Sequence, residues 1–135
     1  RLLDLSACQL GSVLALTRLS QLERLHMDSA AWTDPSLMPL LHHLSRLQVL
    51  SLRDTRISSG AVADMAVRCS ALQELCLAKC PQLTDVAVAA LANMPHLRVL
   101  DLSENFNLES GVSRLTRCRS LVHLILKDCK RLMQQ

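Results

Sequence analysis

The strongest constraint on this chain is a short pattern that returns six times. The segments "LLDLSACQL" from Leu2, "LERLHMDSAAW" from Leu22, "LQVLSLRDTRI" from Leu47, "LQELCLAKCPQL" from Leu72, "LRVLDLSENFNL" from Leu97 and "LVHLILKDCKRL" from Leu121 share one register. Each reads L-x-x-L-x-L-x-x-(C/N/T/A), with an apolar residue two or three positions later; the first has lost its opening Leu. The second Leu falls at Leu3, Leu25, Leu50, Leu75, Leu100 and Leu124, at spacings of 22, 25, 25, 25 and 24 residues. A period of this length means one small structural unit per repeat, and such a unit cannot bury its apolar side alone.

Within each L-x-L the side chains alternate, so both leucines point one way and the residue between them points the other. Stacking the units in parallel makes one continuous core, and parallel strands need a crossover between them. The crossovers carry helical period. Leu37, Leu40, Leu41 and Leu44 follow i, i+3, i+4, i+7, as do Val62, Met65, Ala66 and Cys69, then Ala87, Ala90, Leu91 and Met94. "TDP" at Thr33 to Pro35 and "TD" at Thr84 and Asp85 supply helix-start residues. The first crossover, "GSVLALTRLSQ", is shorter and suits a 3₁₀ turn or a brief helix. The expected fold is α/β: a leucine-rich-repeat solenoid of about six repeats forming a single domain over residues 1–135. A curved parallel sheet would line its concave side and helices its convex side.

Composition fits a thin, regular core. Half of the residues are apolar, yet Trp32 and Phe106 are the only aromatics. Trp32 falls at an inward position; Phe106 follows Asn105 in a loop and is a candidate exposed anchor. No apolar run approaches the ~18 residues of a membrane helix, and "RLLDLSACQL" lacks the apolar stretch of a signal peptide.

The six cysteines mostly follow the repeat. Cys8, Cys80 and Cys129 hold the ninth position, where Thr55 and Asn105 stand in other rungs. Cys69 and Cys118 lie three residues before the next opening Leu, a place Met94 takes in between. Equivalent cysteines are at least two rungs apart, roughly 10 Å at ~4.8 Å per strand, beyond the ~7 Å reach of a disulfide. No C-x₂-C pair exists, so neither a metal nor another cofactor is expected. Cys76 alone, in the outward middle of an L-x-L, should be accessible. Free thiols in this number favour a reducing compartment, the cytoplasm or nucleus, with organellar import left open.

The stretch "CSALQELCLAKCPQLTDVAVAALA" closely resembles the cysteine-containing subclass of leucine-rich repeats, through Cys69, Leu72, Leu75, Leu77, Cys80, Leu83, Thr84 and Asp85. The likeness to leucine-rich repeats covers essentially the whole chain. The likeness to the cysteine subclass is strong in this repeat and partial in those containing Cys8 and Cys129. The rungs at Leu22 and Leu47 depart from it, with Ala30 and Thr55 at the cysteine position, and "LALTRLSQLERL" looks more like the shorter 22-residue class. Repeats of the cysteine subclass form the substrate-binding arm of F-box ubiquitin ligases, so the resemblance implies a non-catalytic recognition role of that kind. A scaffold subunit of a large assembly is the alternative within the same class.

Residue chemistry points away from an enzyme. There is no Gly-rich phosphate loop, no H-E-x-x-H and no nucleophile elbow, and only three glycines in all. His42 and His43 end a helix and are expected to serve its last carbonyls. The net charge is +3, but Arg114, Arg117, Arg119, Lys127, Lys130 and Arg131 face only Asp128, so that segment is +5 and the remainder −2. A nucleic-acid contact through Arg114, Arg117, Arg119, Lys130 and Arg131 is the reading from a different class. It lacks interleaved aromatics for base stacking.

The sheet face carries the binding expectation. Its outward positions are Asp4 and Ser6; Arg24, His26 and Asp28; Val49, Ser51 and Arg53; Glu74, Cys76 and Ala78; Val99, Asp101 and Ser103; His123, Ile125 and Lys127. Mixed charge beside an apolar strip at Val49, Val99 and Ile125 suits a protein or peptide better than a polyanion. Arg1 begins inside a rung and Leu124, Leu126 and Leu132 have no following crossover. Further repeats of a longer protein, or neighbouring subunits, are therefore expected to cover the ends.

Overall fold

In the computed structural model the described residues are 2–4, 20–29 and 34–133, with backbone alone for 2–4, Asp34, Ser36, Leu37 and Met133. Six short strands form one parallel sheet in chain order: β1 (Leu2–Asp4), β2 (Arg24–His26), β3 (Val49–Ser51), β4 (Glu74–Cys76), β5 (Val99–Asp101) and β6 (His123–Ile125). Leu3, Leu25, Leu50, Leu75, Leu100 and Leu124 are direct partners across it. The register is therefore the one the repeat spacing implies.

Helices α1 (Asp34–Leu41), α2 (Ser59–Arg68) and α3 (Asp85–Leu91), a 3₁₀ helix (Ser110–Arg117) and the short α4 (Lys130–Met133) complete the order. α2 packs on α3, and α3 on the 3₁₀ helix. The core lies between sheet and helices. Leu25, Leu50, Leu75 and Leu100 are buried from the strands, and Val62, Met65, Val88 and Leu91 meet them from the helices. Each fully buried Leu contributes about 1.5–3 kcal/mol, so every rung adds several such increments. Two starts are capped as helix chemistry requires: Ser58 accepts from the Ala61 amide at 3.1 Å and Thr84 from the Val86 amide at 3.4 Å.

The last crossover departs from α geometry. It is one residue shorter than the two before it, and a 3₁₀ helix gains ~2.0 Å per residue against ~1.5 Å for an α-helix. A tighter helix thus spans the rung with fewer residues. The sequence accommodates it with period three: Leu115 and Cys118 are buried and Val112 half-buried, while Arg114 and Arg117 line the exposed side. Ser113 and Thr116 donate back to the carbonyls of Ser110 and Ser113, both at 2.9 Å.

Each described rung leaves its strand through one left-handed residue. Ser29, Asp54, Lys79, Glu104 and Asp128 have φ between 53° and 59°, and none is a glycine. For a residue with a Cβ this costs roughly 1–2 kcal/mol. The reversal turns the next residue, at the ninth position, inward: Thr55, Cys80, Asn105 and Cys129 are all buried.

Asn105 holds that layer together. Its Oδ1 accepts from the Cys80 amide at 2.9 Å, and its Nδ2 donates to the carbonyls of Leu77 at 2.9 Å and Leu102 at 2.8 Å. Cys80 and Cys129 make the corresponding reach to the previous rung with S–H donors, to Leu52 O at 3.2 Å and Leu102 O at 3.1 Å. Thr55 donates within its own rung to Leu52 O at 2.8 Å and meets Cys80 Sγ of the next rung at 3.7 Å. The sulfurs are core groups with weak donors, and none of the five described cysteines is paired in a disulfide. Burial pushes the Cys69 thiol up to about 11. Cys8, Ala30, Trp32 and residues 11–19 of the first crossover fall outside the described residues.

Candidate interaction surface

The sheet face presents three rows of side chains, set by the strand register. The first is Arg24, Val49, Glu74, Val99 and His123; the second is His26, Ser51, Cys76, Asp101 and Ile125. The third follows two residues on, with Asp28, Arg53, Ala78, Ser103 and Lys127. A shallow depression of about 290 Å³ lies over the middle rungs, lined by Val49, Val99 and Ile125 with the acids Asp28, Glu74 and Asp101 set among them. Aliphatic and acidic side chains alternate across it, Glu74 between Val49 and Val99 and Asp101 beside Ile125.

Several side chains on this face are already engaged. Asp28 accepts from the Ser51 hydroxyl and, at 3.1 Å, from the Arg53 amide. Three rungs along, Ser103 accepts from the Lys127 amide at 3.1 Å, and Asp101 accepts from the Ser103 amide at 2.9 Å. Third-row side chains therefore cap backbone donors left where the strands end. Ala78 and Ser103 are buried rather than presented outward. Arg53 is not free either: it pairs with Glu104, two rungs away, at 2.7 Å, and this partner holds its charge more firmly than usual.

Arg24, Glu74, His123, Ile125 and Lys127 are exposed, while His26, Val49, Cys76, Val99 and Asp101 are half-buried. Cys76 is the one thiol on the face among the described residues. Its Sγ lies 3.9 Å from Asp101 Oδ2, and burial raises its pKa. The side chain of Asp4 and the whole of Ser6 fall outside the described residues.

The loops where strands end form a dense polar edge. Phe106 is half-exposed here, with Lys130 Nζ 5.6 Å from its ring centre, so the candidate anchor already carries a cation. Arg131 pairs with Glu109 at 2.6 Å. Asp85 accepts from the amides of Glu109 at 2.8 Å and Gly111 at 2.9 Å. A Cβ on Gly111 would come within 2.5 Å of the Asp85 carboxyl carbon, which explains the glycine. Ser59 and Thr84 bond across rungs, with the Thr84 amide donating to Ser59 Oγ at 2.9 Å.

The opposite edge, where strands begin, is basic. His42 does not serve the end of α1; its ring lies 2.6 Å from Asp64 on α2, which also meets Arg68 at 3.7 Å. The His42 hydrogen bond lowers the Asp64 pKa. The predicted basic group is thus divided. Arg114, Arg117 and Arg119 lie toward this edge, whereas Lys130 and Arg131 belong to the other. Sequence reasoning missed Glu104, Asp64 and the left-handed positions, although a polar residue recurs directly before the ninth position in every described rung.

Among the described residues no group of three or more His, Cys, Asp or Glu could hold a metal, and no helix is long and apolar enough to cross a membrane. Sheet, crossovers and register together define an α/β leucine-rich-repeat-like fold. Among solved structures an internalin from Listeria monocytogenes, a leucine-rich-repeat protein, is similar, with a TM-score of 0.51 at 20% identity. The match covers 91% of this chain and 46% of the internalin chain. No protein-family model matches the sequence, and no curated protein matches it.

Proposed function

We propose that the chain is a non-catalytic binding module whose open sheet face receives a protein or peptide. The observation that carries this reading is the depression over the middle rungs, where aliphatic and acidic side chains stand side by side on adjacent parallel strands. Such a surface can seat an aliphatic side chain beside a cationic one. The narrower reading is a substrate-recognition arm like that of an F-box ubiquitin ligase, working in the reducing cytoplasm or nucleus. It rests on the resemblance of the Cys69 to Asp85 stretch and on unpaired thiols.

A second reading, a structural piece of a longer repeat protein or larger assembly, is favoured by the last rung. Leu124 is 37% exposed where Leu100 is fully buried, and Val122 beside it is 60% exposed. A further rung or a neighbouring subunit would cover them.

Peptides selected from a random library against the full chain test the first reading. Binding should fall about tenfold or more on Glu74→Arg or Ile125→Asp, the size of a lost charged or apolar contact. The helix-side control Val67→Asp should leave it unchanged. Selected peptides indifferent to both sheet-face substitutions would refute the assignment.

A further inference from the structure

Four arginines at the strand-start edge stand without an acid. Arg98 precedes β5, and its carbonyl accepts from the amides of Val122 at 2.8 Å and His123 at 3.0 Å. Ser120 Oγ donates to Leu97 O at 2.7 Å, so the turn carrying Arg119 sits against the backbone carrying Arg98. In a 3₁₀ helix, residues three apart eclipse, which stacks Arg114 and Arg117 on one side, directly ahead of that turn. All four are exposed. Among the described residues none makes an ion pair, whereas His42 and Arg68 share Asp64 farther along the same edge. Glu109, the acid nearest in sequence to Arg114 and Arg117, is held by Arg131 on the other side. Four like charges gathered without a counter-charge repel one another, and an external anion removes that repulsion.

We infer that Arg98, Arg114, Arg117 and Arg119 form a docking site for an acidic segment of a partner protein, separate from the sheet face. Guanidinium forks match carboxylates bidentately, and an extended run of Asp or Glu side chains can meet successive arginines. Nucleic acid fits less well. Strand binding without sequence readout relies on aromatic platforms, and Phe106, the one aromatic among the described residues, lies on the opposite edge beneath Lys130.

Fluorescence anisotropy of the full chain with a labelled oligoglutamate, and with an oligothymidylate of equal charge, tests the site at low salt. The oligoglutamate should bind, and R114E/R117E should weaken it about tenfold or more. K79E, at the strand-end edge, should change it by less than about twofold, the scale of a distant screened charge. R114Q/R117Q, with an unchanged melting temperature, should weaken binding without reversing charge and so exclude misfolding as the cause. Absence of oligoglutamate binding, an equal loss in K79E, or much tighter binding of the oligothymidylate would each overturn the inference.

Discussion

The two edges of the sheet are built from the same repeat yet use their polar residues differently. Where strands end, side chains are spent on the protein itself: Asn105 stitches three backbone groups, Asp85 holds two amides, and Arg53 and Arg131 have carboxylate partners. Where strands begin, four arginines of the last rungs make no ion pair among the described residues, and inter-rung side-chain contact there rests on buried sulfur and a serine hydroxyl. The chain must reverse sharply at the first edge, through left-handed residues, and a reversal strands backbone donors and acceptors that must be satisfied. The second edge also turns the chain back, but without a left-handed residue among the described residues, its turn amides bonding to carbonyls three residues earlier. Its side chains are freer to face a partner.

The sharpest way to break this contrast is to remove the stitching residue. Asn105→Ala leaves the Cys80 amide and the Leu77 carbonyl without their buried side-chain partner, at a cost of about 3 kcal/mol. Arg114→Ala, on the other edge, should cost less than about 0.5 kcal/mol. Urea unfolding midpoints of the two variants measure the difference, and equal losses would dissolve the distinction.

Next in size is the response to alkali near the strand-start edge. Burial raises Cys69 from 9.0 to about 11, so the unfolded chain gives up this proton first as pH rises. The contribution is whole below pH 9 and lost by pH 11, about 2–3 kcal/mol at ~1.4 kcal/mol per unit. Cys69→Ala should lower stability at neutral pH but flatten this alkaline decline. A variant with the same slope as the parent would place the alkaline sensitivity elsewhere.

The smallest effect concerns the reversal itself. Lys79 is exposed with a φ of 56° and has no side-chain partner among the described residues. Lys79→Gly should therefore raise stability by about 0.5–1 kcal/mol, the left-handed penalty less the extra entropy of glycine. Glu104→Gly should gain nothing, because it also removes the ion pair with Arg53. Thermal melts of the two variants in parallel check this; a gain from both would mean that the ion pair contributes nothing.

What the sequence alone determined is everything bound to its period. Leu25, Leu50, Leu75 and Leu100 share a register because rungs of equal length must stack in phase, and the ninth positions Thr55, Cys80, Asn105 and Cys129 are buried for the same reason. Those features need only local alternation and a constant spacing. Tertiary structure decided the partnerships. Arg53 reaches past one rung to Glu104, His42 turns to Asp64 on the next helix, and Lys130 and Arg131 part company with Arg114, Arg117 and Arg119. The physical reason is that a side chain's neighbours lie one or two periods away in sequence. Residues only a dozen apart can emerge on opposite edges of the sheet. A repeat pattern says which way a residue points; the wound chain says what it meets there.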